Sequence, residues 1–280
     1  IVLTLAGPSY VKFQNKHLMG CSNPYIIYAN FSDVFKDRNI ISFFLRILRT
    51  IYQLYYIKKT DYFLFQTDHS RKTFNNKYSI ENYKTYVVKN SISKIFESNF
   101  ISAKLKKNKK QIVLCPISAE AHKGNKMIIE LLDKYQESLK NYIFVITNNF
   151  SKLNNANIQF IGSKKYDEMA YFYKNSDLIL MPSNLEIFSN VFTEALISKK
   201  PLIVCDNDYN IEILDKYAIY FKYGNLHNLY NSIIEATKKI EDNNYLENAK
   251  NFIYSNYKHY DYRYDQIIKI IYKLCKKENL

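Results

Sequence analysis

From Gln111 onward the chain alternates short apolar runs with helical patterns, and this alternation constrains its fold more than any other feature. The runs are "QIVLCPI" (111–117), "YIFVIT" (142–147), "IQFIG" (158–162), "DLILMP" (177–182), "PLIVCD" (201–206) and "AIYFK" (218–222). Helical patterns occupy 124–139, 166–175, 189–199, 207–216, 225–240 and 243–256. A strand exposed on one face alternates apolar with polar residues. A continuously apolar strand is covered on both faces, and short connections through helices make such strands parallel. The region therefore predicts a parallel α/β sheet with helices on both sides.

Residues 1–100 read as a partial α/β domain of the same kind. "IVLTLAG" (1–7), "YFLFQT" (62–67) and "YKTYVVKN" (83–90) have strand character, and 40–59 is helical. Thr67 or Asp68 can cap the helix that follows the second of these strands. The basic, polar stretch 101–110 reads as a linker, 111–258 as a second domain, and 259–280 as a closing amphipathic helix. The chain opens at Ile1 directly on an apolar run, so the sequence reads as lacking its natural N-terminus.

The formal net charge of the 280 residues is +14. Such a balance suits an anionic partner: a nucleotide diphosphate, an anionic lipid surface or a nucleic acid. The basic residues are dispersed and no nucleic-acid reader motif is present, which argues against the last. The four cysteines lie far apart with no CxxC spacing, pointing to a reducing compartment without disulfides or structural zinc. No stretch reaches the ~20 apolar residues of a membrane span. The nearest, "IISFFLRILRTIYQLYYIKK" (40–59), carries Arg46 and Arg49 and reads either as a buried helix or as an interfacial helix facing anionic lipid.

Ligands of open α/β sheets bind beyond the carboxyl ends of the strands. Three strand ends here carry suitable residues. After 111–117, Lys123 and Gly124 open a helix, which places an ammonium beside helix N-terminal amides, as a phosphate requires. Gly162 ends another strand, where a ligand can approach the backbone closely. After "LILMPS", Ser189 or Asn190 can cap a helix whose first amides, over 189–192, point toward the strand-end crevice. Glu194 stands one turn into that helix, within reach of two vicinal hydroxyls, and Glu186 precedes the helix.

The stretch "LILMPSNLEIFSNVFTEALISKKPLIVCD" (178–206) resembles the donor-site signature of the family 4 retaining glycosyltransferases: Pro182-Ser183, Glu186, then Glu194-Ala195 and Lys200-Pro201. Lys123-Gly124 looks like the phosphate contact of that family, and 158–183 matches its strand–Gly–helix–Asp–strand run. The resemblance is specific in the C-terminal half and softer before residue 100, where "YFLFQTD" and neighbouring segments are similar to capsule- and surface-glycan enzymes. It implies a GT-B fold of two facing Rossmann-like domains, the first incomplete here. It also implies a nucleotide-sugar donor, transfer with retention to a growing surface glycan or lipid-linked acceptor, and no metal or other cofactor. By position, Glu194 would hold the ribose and Glu186 would contact the donor sugar. The amides of Phe188, Ser189, Asn190 and Val191, with Lys123, would hold the diphosphate and stabilise its departing charge. Such an enzyme is expected in the cytoplasm, peripherally at the inner membrane face.

The chain departs from the family pattern at three places. Ile187 and Ser189 stand where glycines flank the aromatic residue, Ser118 stands where an arginine precedes the lysine, and the glycine-rich acceptor loop has no counterpart. His122 is a candidate phosphate contact that offsets the lost arginine. His17 and His69 are candidate sugar contacts from the first domain. Alternatives are another GT-B enzyme, such as a nucleotide-sugar epimerase, or a non-catalytic relative.

Overall fold

The apolar runs become parallel strands in two separate sheets. The structure is a computed structural model, and it describes residues 1–28, 40–97, 110–149 and 155–276. The linker expected at 101–110 falls almost wholly outside the described residues. The chain divides into two compact units: Ile1–Ser91 with Leu185–Phe188 and His259–Leu280, and Ile92–Asn184 with Ser189–Lys258. Counting Leu185–Phe188 with the first unit departs from the boundaries read from sequence, which kept 111–258 whole.

In the first unit, β1 (Val2–Thr4), β2 (His17–Gly20), β3 (Tyr62–Phe65) and β4 (Thr85–Val87) pair in parallel in that order. Helices α1 (Pro24–Ile27), α2 (Ile40–Ile57) and α3 (Asp68–Tyr78) fall between them, and α10 (Tyr260–Lys276) closes the unit. Alternate strand residues serve opposite faces of a pleated sheet. Met19, Phe63 and Phe65 accordingly pack with Ile26, Ile57 and Phe74, whereas Leu18 and Leu64 pack with Ile267 and Leu274 of α10. Thr67, rather than Asp68, caps α3, its Oγ1 accepting from the Ser70 amide at 3.1 Å. The third strand-like run shortens to β4 because Asn82–Lys84 form a 3-10 turn before it.

The second unit holds β5 (Gln111–Cys115), β6 (Tyr142–Ile146), β7 (Ile158–Phe160), β8 (Leu178–Met181), β9 (Leu202–Cys205) and β10 (Ile219–Phe221). Its helices are α4 (Asn125–Lys134), α5 (Tyr166–Asn175), α6 (Asn190–Ile197), α7 (Asp208–Leu214), α8 (Leu226–Lys238) and α9 (Asn243–Asn256). All pairings are parallel and the order is β10-β9-β8-β5-β6-β7. Every residue of β8 and β9 is buried, as continuous apolar runs demand. Several elements end earlier than the sequence suggests, α4 and α6 among them. Helix α4 stops at Lys134, after which the chain continues in turns to the fully buried Leu139. Helix α6 stops at Ile197 because the chain turns toward β9 through Lys199, whose φ is +53°.

All four cysteines carry free thiols; Cys21, Cys115 and Cys205 are buried and Cys275 is partly exposed. Burial pushes the Cys21 and Cys115 thiols far above their ordinary pKa.

Candidate functional site

The strand order reverses direction between β5 and β8. At such a switch point the two flanking connections leave in opposite directions and open a crevice at the carboxyl ends of the strands. The loop after β5 and the loop after β8 therefore form the candidate site of the second unit.

Buried amides build the first loop from below. Asn125 donates to the Ser118 carbonyl at 2.7 Å and accepts from Asn148 at 2.8 Å, and Asn148 also bonds the Ile117 carbonyl at 2.8 Å. Both amides are almost fully buried, so each bond they make is one the fold must keep. The loop then passes through a 3-10 turn, Ala121–Lys123, to Gly124. Gly124 takes a left-handed conformation with φ +77°, and a Cβ there would lie 2.5 Å from the Pro182 carbonyl oxygen. Only glycine allows the start of α4 to sit so close to the loop after β8.

The two loops are also hydrogen-bonded. The Asn184 amide donates to the His122 carbonyl at 2.8 Å. The Asn184 carbonyl in turn accepts from the Tyr209 hydroxyl and from Asn207 at 3.4 Å, which joins the loop after β9 to the same assembly. Lys123 and His122 are half-buried at this edge. Sequence reasoning overlooked Glu120, an acid in the same loop. Its carboxyl is held below the usual range first by the Ser118 hydroxyl bond, burial opposing, with smaller contributions from its own backbone amide, His122 and Lys123. Where the family pattern has an arginine, this loop thus carries a serine bonded to a carboxylate.

Ser189 occupies the N-cap of α6 in an extended conformation, but its hydroxyl makes no capping bond. The side-chain cap expected of Ser189 is therefore absent, and Asn190 is the first residue of the helix rather than its cap. The Phe192 amide is taken by the Ser189 carbonyl at 3.1 Å. Leading amides of a helix have no intrahelical partner, so this end carries the partial positive charge of the helix. One turn in, Glu194 is buried at 7% exposure and accepts from the Tyr173 hydroxyl at 2.8 Å. Burial raises its carboxyl pKa, and the bonds from Tyr173 and Tyr166 pull the other way. Phe96 packs edge-on against both tyrosines, at 5.3 and 5.5 Å, so the acid lies among aromatic rings. Gly162 follows β7 with φ +69°, near the side chain of Asn149, two strands out from β5 or about 10 Å.

The remaining candidates belong to the first unit. Glu186 and Phe188 are buried at 8% in the segment counted there, and Ile187, at a family glycine position, packs in the cluster of Met19, Cys21 and Phe63. His17 opens β2 with both ring nitrogens engaged: Nε2 with Thr4 Oγ1 at 2.8 Å and Nδ1 with Thr60 Oγ1 at 3.5 Å. Its amide donates to Asp61 at 2.9 Å, and burial lowers its pKa, opposed by Asp61. The His17 ring thus bonds within its own unit, to Thr4 and Thr60. His69, in the first turn of α3, meets the Tyr28 hydroxyl at 3.3 Å. Among the described residues no group of three or more His, Cys, Asp or Glu is placed to hold a metal ion.

Comparison with known proteins bears on the fold. WaaG, a glycosyltransferase involved in lipopolysaccharide biosynthesis, is similar with a TM-score of 0.66 at 16% identity, over 84% of this chain and 70% of that one. HepE from Anabaena, solved in complex with UDP and glucose, is similar with a TM-score of 0.66 at 13% identity, over 93% of this chain and 72% of that one. TarM of S. aureus gives a TM-score of 0.67 at 15% identity over 91% of this chain, which spans only 50% of TarM. These likenesses show the fold, the α/β GT-B class with two Rossmann-like parallel sheets that the sequence predicts. No curated protein matches the chain. The family described as Glycosyl transferases group 1 matches residues 97–259, a span that holds the whole second-unit sheet and both switch-point loops, and the chain belongs to that family.

Proposed function

We propose that this glycosyltransferase moves a hexose with retention, and without a metal ion, from a nucleotide diphosphate sugar to a growing surface glycan or lipid-linked acceptor. The observation that carries the reading is the pair of switch-point loops locked together by Gly124 against Pro182 and by the Asn184–His122 bond. Lys123 and the first turns of α4 and α6 follow the carboxyl ends of the two central strands, β5 and β8. Cationic and amide donors gathered in this way suit a diphosphate and stabilise it as it leaves.

In this reading Lys123, His122 and the amides of Phe188, Ser189, Asn190 and Val191 hold the diphosphate. Gly124 and Gly162 let the ligand approach the backbone. Glu194 accepts from the ribose hydroxyls, exchanging part of its bonding with Tyr166 and Tyr173 for the ligand. Glu186 contacts the donor sugar, with His17 and His69 as the sugar contacts from the first unit. The acceptor side works at the cytoplasmic face of an anionic membrane, a reading supported by the +14 charge and by the lipopolysaccharide role of WaaG.

The test is nucleotide binding by calorimetry with UDP, GDP and ADP. Glu194→Ala should weaken the preferred nucleotide, and Glu186→Ala should mainly slow transfer. Equal affinity in wild type and Glu194→Ala would overturn the assignment. A second reading, a nucleotide-binding relative without transfer, is favoured by the buried Ile187 at a glycine position and by the Ser118–Glu120 pair. Nucleotide binding without turnover across a panel of donor sugars would support it.

A further inference from the structure

Helix α2 presents two unlike faces. Phe43, Gln53 and Ile57 are buried in the first unit, and Leu54 packs against the same core. The opposite side is apolar and open. Ile41, Phe44, Leu45, Leu48, Ile51 and Tyr55 are each between 57% and 71% exposed. At 100° per residue these positions fall within an arc of about 120°. Isolated exposed apolar residues are ordinary; a continuous stripe along an 18-residue helix is not. The patch also widens beyond the helix. Tyr10 stacks on Tyr52 at 5.5 Å and its hydroxyl accepts from Gln53 at 2.7 Å, while Leu5 and Val11 beside it are 61% and 54% exposed.

We infer that this stripe docks on an anionic bilayer surface, with α2 lying in the plane of the interface. The charges around it complement such a surface. The helix contains no acid, and exposed Arg49 borders the apolar arc. Lys58 and Lys59 follow the helix, and Lys12 and Lys16 follow Val11, all four exposed. Asp37, three residues before the helix, stands in sequence between Lys36 and Arg38, and Asp61, four residues after it, accepts from the His17 amide. Arg46 is turned inward, its guanidinium 3.7 Å above the Tyr25 ring, so it does not interrupt the apolar face. Tyrosines at positions 10, 52 and 55 supply the amphipathic rings that settle at headgroup level. Among the described residues no helix is long and apolar enough to cross a membrane, so burial of this face requires lying flat, with α2 covering about 27 Å of surface.

This inference gives the proposed membrane partner its contact surface, and its test reads binding rather than transfer. The full chain is sedimented with vesicles of phosphatidylcholine alone and of phosphatidylcholine mixed with phosphatidylglycerol. Wild type should partition to the mixed vesicles. Phe44→Asp/Leu48→Asp should lower that partition on the order of a hundredfold. Arg49→Glu should lower it less and mainly on the anionic vesicles. The substituted side chains are exposed, so both variants should keep the wild-type melting midpoint and nucleotide affinity, which separates this test from that of the donor site. Failure of wild type to bind mixed vesicles, or undiminished binding by the double variant, would overturn the inference. So would a wild-type dimer in light scattering that the double variant splits, because a second copy would then cover the face.

Discussion

Replacing Gly124 with alanine tests whether the two switch-point loops depend on each other. The added methyl meets two separate costs. A φ of +77° is left-handed, and a residue with a Cβ there costs about 1–2 kcal/mol. The methyl would also lie 2.5 Å from the Pro182 carbonyl oxygen and 3.0 Å from the Pro182 ring. Neither atom belongs to a flexible side chain, and Pro182 directly follows the fully buried β8, so relief requires backbone movement. Overpacking of this kind costs about 1–3 kcal/mol, for a sum of about 2–5 kcal/mol. In a unit of this size the melting midpoint should drop by about 5–15 °C. Gly224 is the internal control: it is left-handed at φ +81°, but its Cβ meets nothing within 4 Å. Gly224→Ala therefore carries only the conformational cost, part of which the stiffer unfolded chain returns. The assay is thermal unfolding of both variants beside wild type, with nucleotide binding measured on each. Equal midpoints for the two alanine variants would show that Gly124 and Pro182 are not in the close contact on which the site depends.

Glu194→Gln should change the pH dependence of stability. Burial raises the Glu194 carboxyl above its ordinary 4.5, so the folded state retains a proton that the unfolded chain releases, and stability falls as pH rises from about 4.5 through the raised value. The glutamine variant lacks that decline and should gain on wild type across the same window in pH-dependent melts, while its nucleotide affinity drops by about tenfold or more. A constant difference between the two melting curves at every pH would refute the burial argument. Asn125→Ala removes one bond to the carbonyl of exposed Ser118 and one from buried Asn148, and should cost about 1–3 kcal/mol in denaturant titration, chiefly because Asn148 loses a partner away from water.

The second-unit sheet was legible because its strands are buried on both faces. That burial makes the runs at 111–117, 177–182 and 201–206 continuously apolar, a pattern with few other uses. The runs overstated strand length where an apolar residue leaves the ladder but stays buried: Ile117 is 3% exposed two residues beyond the end of β5. Lys123, Gly124 and Glu194 were legible from their places at strand and helix ends. Their partners were not, because those come from distant segments. Glu194 meets Tyr173, 21 residues away, and Asn125 meets Asn148, 23 away. Local periodicity carries no sign of such pairs. The same holds for His17, whose ring nitrogens meet Thr4 and Thr60, 13 and 43 residues distant. Glu120 had a signal that went unused: an acid three residues before the lysine of the same short loop.

The buried thiols equip the protein with reporters of its own unfolding. Cys21 lies in the first unit, and Cys115 and Cys205 lie in the second-unit sheet on β5 and β9, all three buried. A thiol reagent attacks only a thiolate it can reach, so these three positions react only when their surroundings open, whereas Cys275, partly exposed, reacts first. Labelling followed by mass spectrometry of the peptides therefore yields separate opening rates for the two units from one unmodified sample. A nucleotide that binds the second unit should slow the clocks at Cys115 and Cys205 before it slows the one at Cys21.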